Sequence, residues 1–305
     1  MSDPHEELLE QLRPVAFAVA YRMLGSVAEA EDVVQEALLR LHQELARGEQ
    51  IASPRAYLAT VTTRLAIDEL RSARVRRESY VGEWLPEPLV AAEPEEDPAR
   101  QVERADSLSY AFLLLLESLT PEERAVLLLH DVFDYGYGEV AEVVGKSEDN
   151  ARQLAVRARR HVEEGRPRFE GTVSARRELG ERFLDAAERG DMEALEGMLA
   201  RDVVLRGDGG GKVPALARAV QGSERVARTL GAWFRVGLRS GGRAERTEIN
   251  GLPGLLLFDS GGGLISALSV EASGGSVVAV NSVVNPDKLR HLGPVGDLRA
   301  LLSGG

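Results

Sequence analysis

Six arginines stand between positions 55 and 77, at Arg55, Arg64, Arg71, Arg74, Arg76 and Arg77, against only Asp68 and Glu69. A second basic island holds Arg152, Arg157, Arg159, Arg160, Arg166 and Arg168. A guanidinium is planar and permanently charged, and its forked donors match two phosphate oxygens or one edge of a base. Two such clusters therefore point to a polyanion. Arg64, Asp68 and Arg71 lie four and three residues apart, so on a helix they share one face. There Asp68 pairing with both arginines is the bland reading, and Arg74, Arg76 and Arg77 just beyond shift it toward a phosphate-binding surface. Covalent and redox chemistry has little to work with. The chain has no cysteine, which excludes disulfides, zinc-thiolate sites and thiol switches.

The first cluster needs a helix to carry it. Residues 6–22 and Val27–Leu45 read as helices, the second with Ala30, Val33 or Val34, Ala37, Leu41 and Leu45 on one stripe. Ser53-Pro54 is a start signal for a third, whose Leu58, Val61, Leu65 and Leu70 are expected to face the core. For the second cluster, Thr120-Pro121-Glu122-Glu123 forms a capping box opening a helix through Ala125, Leu128 and Leu129. A short helix from Tyr137 to Val144 follows. Gly145 permits a tight turn, Ser147 caps the next helix, and Ala151, Leu154, Ala158 and Val162 supply its buried stripe. This is a helix-turn-helix, whose second helix enters the major groove with Arg152, Gln153, Arg157 and Arg160 outward. A purely structural helical hairpin is the competing reading.

The formal charge of −12 does not exclude a nucleic-acid partner, because the charges are segregated. Glu83, Glu87, Glu93, Glu95, Glu96, Asp97 and Glu103 form an acidic, proline-bearing linker between the basic islands. In it, Trp84-Leu85-Pro86-Glu87-Pro88 suits docking in a groove as an extended strand, or plain packing of the tryptophan on a helix. A length of 305 residues favours more than one domain. The expected division is 1–79, a linker 80–105, a second helical domain 106–168 and a third domain 169–305. No apolar run reaches the roughly 18 residues of a membrane span, so no membrane partner is expected and the location is read as cytoplasmic.

Ala28-Glu29-Ala30-Glu31-Asp32-Val33-Val34-Gln35-Glu36, with Ser53-Pro54-Arg55-Ala56-Tyr57-Leu58 and Asp68-Glu69-Leu70-Arg71, resembles region 2 of extracytoplasmic-function sigma factors. The stretch from Leu119 to His161 resembles their region 4. The resemblance implies a transcription-initiation factor that works with core RNA polymerase and promoter DNA. Asp32, Gln35, Glu36, Leu39 and Arg40 would dock on the polymerase β′ coiled coil, with the β flap as a further partner. Arg55, Tyr57, Arg64, Arg71, Arg74, Arg76 and Arg77 would recognise and help melt the −10 element. Glu148, Asn150, Arg152, Gln153, Arg157 and Arg160 would read the −35 element. Glu148 and Asp149 depart from the usual pattern, since they set two carboxylates near a polyanion.

Beyond residue 168 the pattern changes. Ala175–Glu188, Asp191–Leu199 and Ser223–Val236 read as helices. Val203–Leu205, Ala244–Asn250, Gly254–Phe258, Leu264–Glu271 and Ser276–Val284 read as strands, several bounded by glycine pairs. Helices followed by a meandering sheet indicate an α+β domain. The whole is then multidomain, with two all-α domains followed by an α+β domain resembling the SnoaL-like (NTF2-like) cone found behind the helical modules of a SigJ-like subgroup. Three motifs carry that further resemblance: Trp84-Leu85-Pro86-Glu87-Pro88, Asp208-Gly209-Gly210-Gly211-Lys212 and Asn285-Pro286-Asp287-Lys288-Leu289. The triple glycine reads as an anion nest, a flexible loop or, the favoured reading, an interdomain contact; the last motif reads as a turn and helix start, for which the resemblance implies regulation.

No catalytic, cofactor or metal constellation emerges. Asp208, Asp259 and Glu271 are the carboxylates an isomerase or cyclase of the SnoaL-like fold would have to use, and the first two adjoin glycine turns. Trp233, Phe234 and Phe258 leave room for a small-molecule ligand in an apolar pocket. A helix-turn-helix regulator acting without polymerase is the remaining alternative.

Overall fold

The computed structural model describes residues 4–90, 108–165, 172–239 and 241–303. The chain forms two compact units, Met1–Glu78 with Ala111–Arg166, and Ser79–Tyr110 with Pro167–Gly305. Segment 80–90 of the acidic linker thus belongs to the second unit. Residues 91–107, with most of the linker's carboxylates, lie outside the described residues. So do Arg166 and Arg168, and the side chains of Arg74, Arg76 and Arg77.

In the first unit, α1 (Pro4–Leu24), α2 (Val27–Ala46) and α3 (Pro54–Glu78) pack on one another. Ser26 starts α2 by accepting from the Glu29 amide at 3.2 Å, and Val27, Ala30, Val33, Val34, Ala37 and Leu41 are buried, while Leu45 is half-buried. Ser53 does the same for α3 at the Ala56 amide. The α3 core face is Leu58, Ala59, Thr62, Thr63, Ala66, Ile67 and Leu70, while the expected Val61 and Leu65 are only half-buried. Ladders of three and four residues through positions 59, 63, 67 and 70 set that face, and 61 and 65 lie at its margin.

After α4 (Tyr110–Leu116), α5 (Pro121–Leu127) opens on the expected capping box: Thr120 Oγ1 accepts from the Glu123 amide, and Glu123 Oε2 accepts from the Thr120 amide. It runs into a π-turn, Leu128–Val132. Then come α6 (Tyr137–Val144), closed by Gly145 at φ 65°, and α7 (Glu148–Gly165), capped by Ser147. Val126, Leu129, Val140, Ala141, Val143, Ala151 and Ala155 form the core of this helix-turn-helix.

The second unit is an α+β domain. It comprises α8 (Val173–Arg189), α9 (Met192–Met198), β1 (Leu199–Asp208), β2 (Val220–Gln221), α10 (Ser223–Arg239), β3 (Arg243–Ile249), β4 (Leu252–Phe258), β5 (Leu264–Ser273) and β6 (Ser276–Val283), then α11 (Pro286–Leu289) and α12 (Leu298–Ser303). The sheet order is β2-β1-β6-β5-β4-β3. β3 to β6 form the expected meander, and β1 joins it parallel to β6. Val203, Leu205, Leu255, Leu268, Val270 and Val280 alternate onto one face, where they meet Phe183, Leu184, Leu195, Val226 and Leu230 of the helices. Segment 80–90 lies extended on this unit: Val90 bridges Ile249, and the Leu89 amide and carbonyl both bond to Asn250.

Candidate nucleic-acid surfaces and the linker-holding site

α2 presents Asp32, Gln35, Leu39 and Arg40 to solvent, with Glu36 half-buried and bonded to Arg40 at 2.8 Å. Leu39 is 50 % exposed, an apolar anchor ringed by charge.

On α3, Arg55 is exposed and Tyr57 half-buried. Arg64 donates to the main-chain carbonyls of Val143 (3.1 Å) and Glu142 (2.7 Å) on α6. Arg71 bonds Asp68 at 3.2 Å and Glu122 of α5 at 2.6 Å. Among these contacts Asp68 pairs with Arg71 alone, because Arg64 reaches the end of α6 instead. Two of the arginines expected on the −10 element are thus engaged with the module expected on the −35 element.

On α7, Glu148, Asn150, Arg152, Gln153, Arg157 and Arg160 are all exposed. Arg152 pairs with Glu148 and lies 5.1 Å from the centre of the Tyr137 ring. Part of the carboxylate repulsion expected at this helix start is therefore neutralised within the helix. Arg160 pairs with Glu164, and Arg157 lies 3.8 Å from Glu123. Val156 stands among them 63 % exposed. It was not singled out in the sequence, where the available signal was an apolar residue off the stripe of Ala151, Ala158 and Val162.

The three short motifs meet at one carboxylate. Asp208, at the end of β1, is completely buried. Its Oδ1 accepts from the Tyr80 hydroxyl (2.5 Å) and the Gly210 amide (3.0 Å), and its Oδ2 from the Leu85 amide and Lys288 Nζ, both at 2.8 Å. These donors match a carboxylate's acceptor capacity. The anion at the glycine loop is the chain's own Asp208. Lys288 also donates to the Leu85 carbonyl and lies 4.4 Å from the Trp84 ring centre and 5.0 Å from that of Tyr80. Asn285 caps α11 and donates to the Tyr80 hydroxyl at 2.9 Å. Lys212 pairs with Asp287, and His291 bonds the Pro88 carbonyl. Leu85, Pro86, Glu87 and Pro88 are buried in this contact. Burial, followed by the hydrogen bond to the Asp208 carboxylate, raises the Tyr80 phenol above its ordinary value and keeps it a donor.

Glycine is required at this loop on steric grounds. Gly210 (φ 57°) has Asn285 and Tyr80 where a side chain would begin, and Gly211 (φ 70°) has Val81 there at 3.0 Å. The same geometry counts against Asp208 as a catalytic base, since its oxygens already hold the chain's own donors. Asp259 is likewise taken up by the Gly261 and Gly263 amides of its turn. The helix-covered face of the sheet borders a cavity of about 560 Å³ whose walls include Trp233, Phe234 and Phe258.

Residues 8–76 match the family described as sigma-70 region 2, and residues 109–162 match sigma-70 region 4. The chain is 40 % identical to the ECF RNA polymerase sigma factor SigJ of Mycobacterium tuberculosis, across 97 % of this chain and 96 % of that one. It belongs to the extracytoplasmic-function sigma factors. This sigma factor is also 32 % identical to the probable ECF RNA polymerase sigma factor SigI of M. tuberculosis, over 99 % of both chains. The crystal structure of M. tuberculosis SigJ superposes with a TM-score of 0.74 at 37 % identity, covering 93 % of this chain and 97 % of that one. It is therefore an alternative sigma factor, a member of a family of DNA-binding transcription-initiation proteins that partner with RNA polymerase and are not enzymes. None of the helices, among the described residues, is long and apolar enough to cross a membrane.

Proposed function

We propose that this sigma factor directs promoter-specific initiation in the cytoplasm through three surfaces, and that its C-terminal domain sets the fraction free to act. The functional division is 1–79, 80–105, 106–168 and 169–305. The α2 face around Leu39 docks on the polymerase β′ coiled coil, and the helix-turn-helix module on the β flap. α3, through Arg55, Tyr57, Arg64, Arg71 and the basic run at 74–77, reads and melts the −10 element. α7, through Glu148, Asn150, Arg152, Gln153, Arg157 and Arg160, reads the −35 element.

Elements centred at −10 and −35 lie some 25 base pairs apart, about 85 Å at ~3.4 Å per pair. Modules joined by Arg64 and Arg71 do not span that distance, so they must part. The roughly 30 residues between Glu78 and Tyr110 reach about 100 Å when extended and would allow it. The observation that carries the regulatory reading is the buried Asp208, whose hydrogen bonds fasten residues 80–85 of that tether to the C-terminal sheet. A docked and a released tether need differ by only a few kcal/mol to shift the active population strongly.

The test is run-off transcription with core polymerase and this chain as the sole added factor. Gly211→Ala pushes on Val81 and loosens the tether from outside the core. Output from that variant should change while start sites stay the same. Equal output from wild type and variant, with the variant's tether shown by amide exchange to be loosened, would reject the regulatory reading. Absence of any product would reject the three-surface assignment.

A further inference from the structure

The C-terminal sheet is worked on two sides. On one side β1 ends in Asp208 and holds the tether. On the other the cavity of about 560 Å³ falls within the range of ligand sites, roughly 300–1,000 Å³. Its wall is aliphatic and aromatic, with Leu255, Leu257 and Leu268 of the sheet facing Trp233 and Phe234 of α10. Among the described residues, Glu188 and Arg243 are the only ionisable ones that line it, and both are already committed: Glu188 to Arg246, Arg243 to Glu245 and the Phe258 ring. A charged ligand would enter without a counter-ion, at a large desolvation cost.

One polar feature lies on the wall. Ser266 and Ser282 are buried and bonded to each other at 3.0 Å. Two hydroxyls sharing one bond retain one O–H to donate, which suits an oxygen acceptor on the ligand.

The cavity also adjoins the tether-holding site. Gly207 and Val284 line it, and Asp208 and Asn285 are the next residues along the chain. Leu216 lines it from the loop that follows the glycines, and the Ala219 amide of that loop donates to Glu83 of the tether at 3.3 Å. α12 covers the cavity with Leu298, Leu301 and Leu302, and its Arg299 donates to the Lys212 carbonyl at 2.7 Å. One set of backbone segments thus borders both sites.

We propose that this cavity binds a neutral, predominantly apolar molecule through its ring or chain, with an oxygen acceptor at Ser266 and Ser282, and that its binding tightens the hold on residues 80–90. A ligand under α12 gives its leucines a partner, which stabilises the Arg299–Lys212 contact and the loop that grips the tether. The sense of the effect on transcription rests on the regulatory reading above; the site and its coupling do not.

The experiment titrates Nile red, a neutral dye with a ring carbonyl, into the full chain. Saturable one-to-one binding is expected, at least tenfold weaker in Leu257→Trp, which fills the cavity. Ser266→Ala/Ser282→Ala should bind about three- to tenfold more weakly for the loss of one hydrogen bond. Both variants are compared at equal folded fraction by thermal unfolding, and the serine pair keeps the test informative if the tryptophan does not fit. Non-saturable binding, or wild-type affinity in both variants, overturns the site. Amide exchange across residues 81–90, including the Leu85 amide, should slow several-fold when the dye saturates; unchanged or faster exchange overturns the coupling. Because neither arm reads transcription, failure of either is distinct from failure of the Gly211→Ala test.

Discussion

Asp208 and Lys288 are among the most deeply buried charges of the C-terminal unit, and removing one partner of such a pair leaves the other uncompensated. Lys288→Met is expected to cost about 3–5 kcal/mol in urea unfolding, and Asp208→Asn/Lys288→Met distinctly less than the sum of its single changes. Tyr80 gives a pH signature. Its phenol is raised when docked, so the contact is fully present below the ordinary tyrosine value of about 10 and weakens as pH rises beyond it, because the released form ionises first. Trp84 emission should report release between pH 10 and 12. Lys288 faces the same carboxylate, so the part of the pH response that disappears in Tyr80→Phe is the tyrosine's share. On α7, Val156 offers two methyl groups between Arg152 and Arg160, a surface suited to a thymine methyl. Val156→Ser should lower run-off output selectively on promoters with thymine at one position of the −35 element, by about 1–3 kcal/mol equivalent at most; an equal loss on all promoters would assign the residue to folding.

At the scale of elements, cap chemistry sets where helices begin, and it is local enough to be read in sequence. Thr120→Ala removes both the acceptor for the Glu123 amide and a bond to Glu123 Oε2, and should lower stability by about 1 kcal/mol in thermal unfolding. Ser53-Pro54 and Gly145 were legible for the same reason, as was the meander from β3 to β6, whose turns are glycine-rich. What was not legible depends on long-range partners. β1 read as Val203–Leu205 but runs Leu199–Asp208, because its pairing with β6 shifts register between Leu199 and Val204 and continues past the apolar core. Neither α4 nor α12 was read as a helix, each being only one or two turns long. Most residues of the linker-holding site were singled out as motifs, but Tyr80 and His291 were not, and nothing local told that Asp208 accepts from Tyr80, 128 residues away. Arg64 was likewise recognisable as an outward arginine, while its acceptors are main-chain carbonyls that carry no residue-type signal.

Across the first unit, the proposed function requires the contacts that join α3 to the helix-turn-helix module to break before both DNA elements are reached. One of them is the Arg71–Glu122 pair, which is partly exposed and so worth no more than about 1 kcal/mol. Partial burial pushes the Glu122 carboxyl up, but the Arg71 hydrogen bond, a backbone hydrogen bond and the charges of Arg71 and Lys146 together outweigh it and set the group below its ordinary value of 4.5. A depressed carboxylate contributes above its unfolded value and stops contributing as pH falls through its folded one. Opening driven by this pair therefore belongs to strongly acid solution and not to the range between pH 8 and 6. Glu122→Ala should raise the open fraction by about fivefold at most, and added salt should produce part of the same effect in wild type. The chain has no native cysteine, so His42→Cys and Glu163→Cys, exposed on α2 and α7, accept fluorophores without further changes. Energy transfer between them should fall modestly in Glu122→Ala and almost completely when core polymerase binds. If polymerase left the transfer efficiency of a transcriptionally active, labelled protein unchanged, the two modules would be working without separating, and the length of the tether would lose its role in reaching both promoter elements.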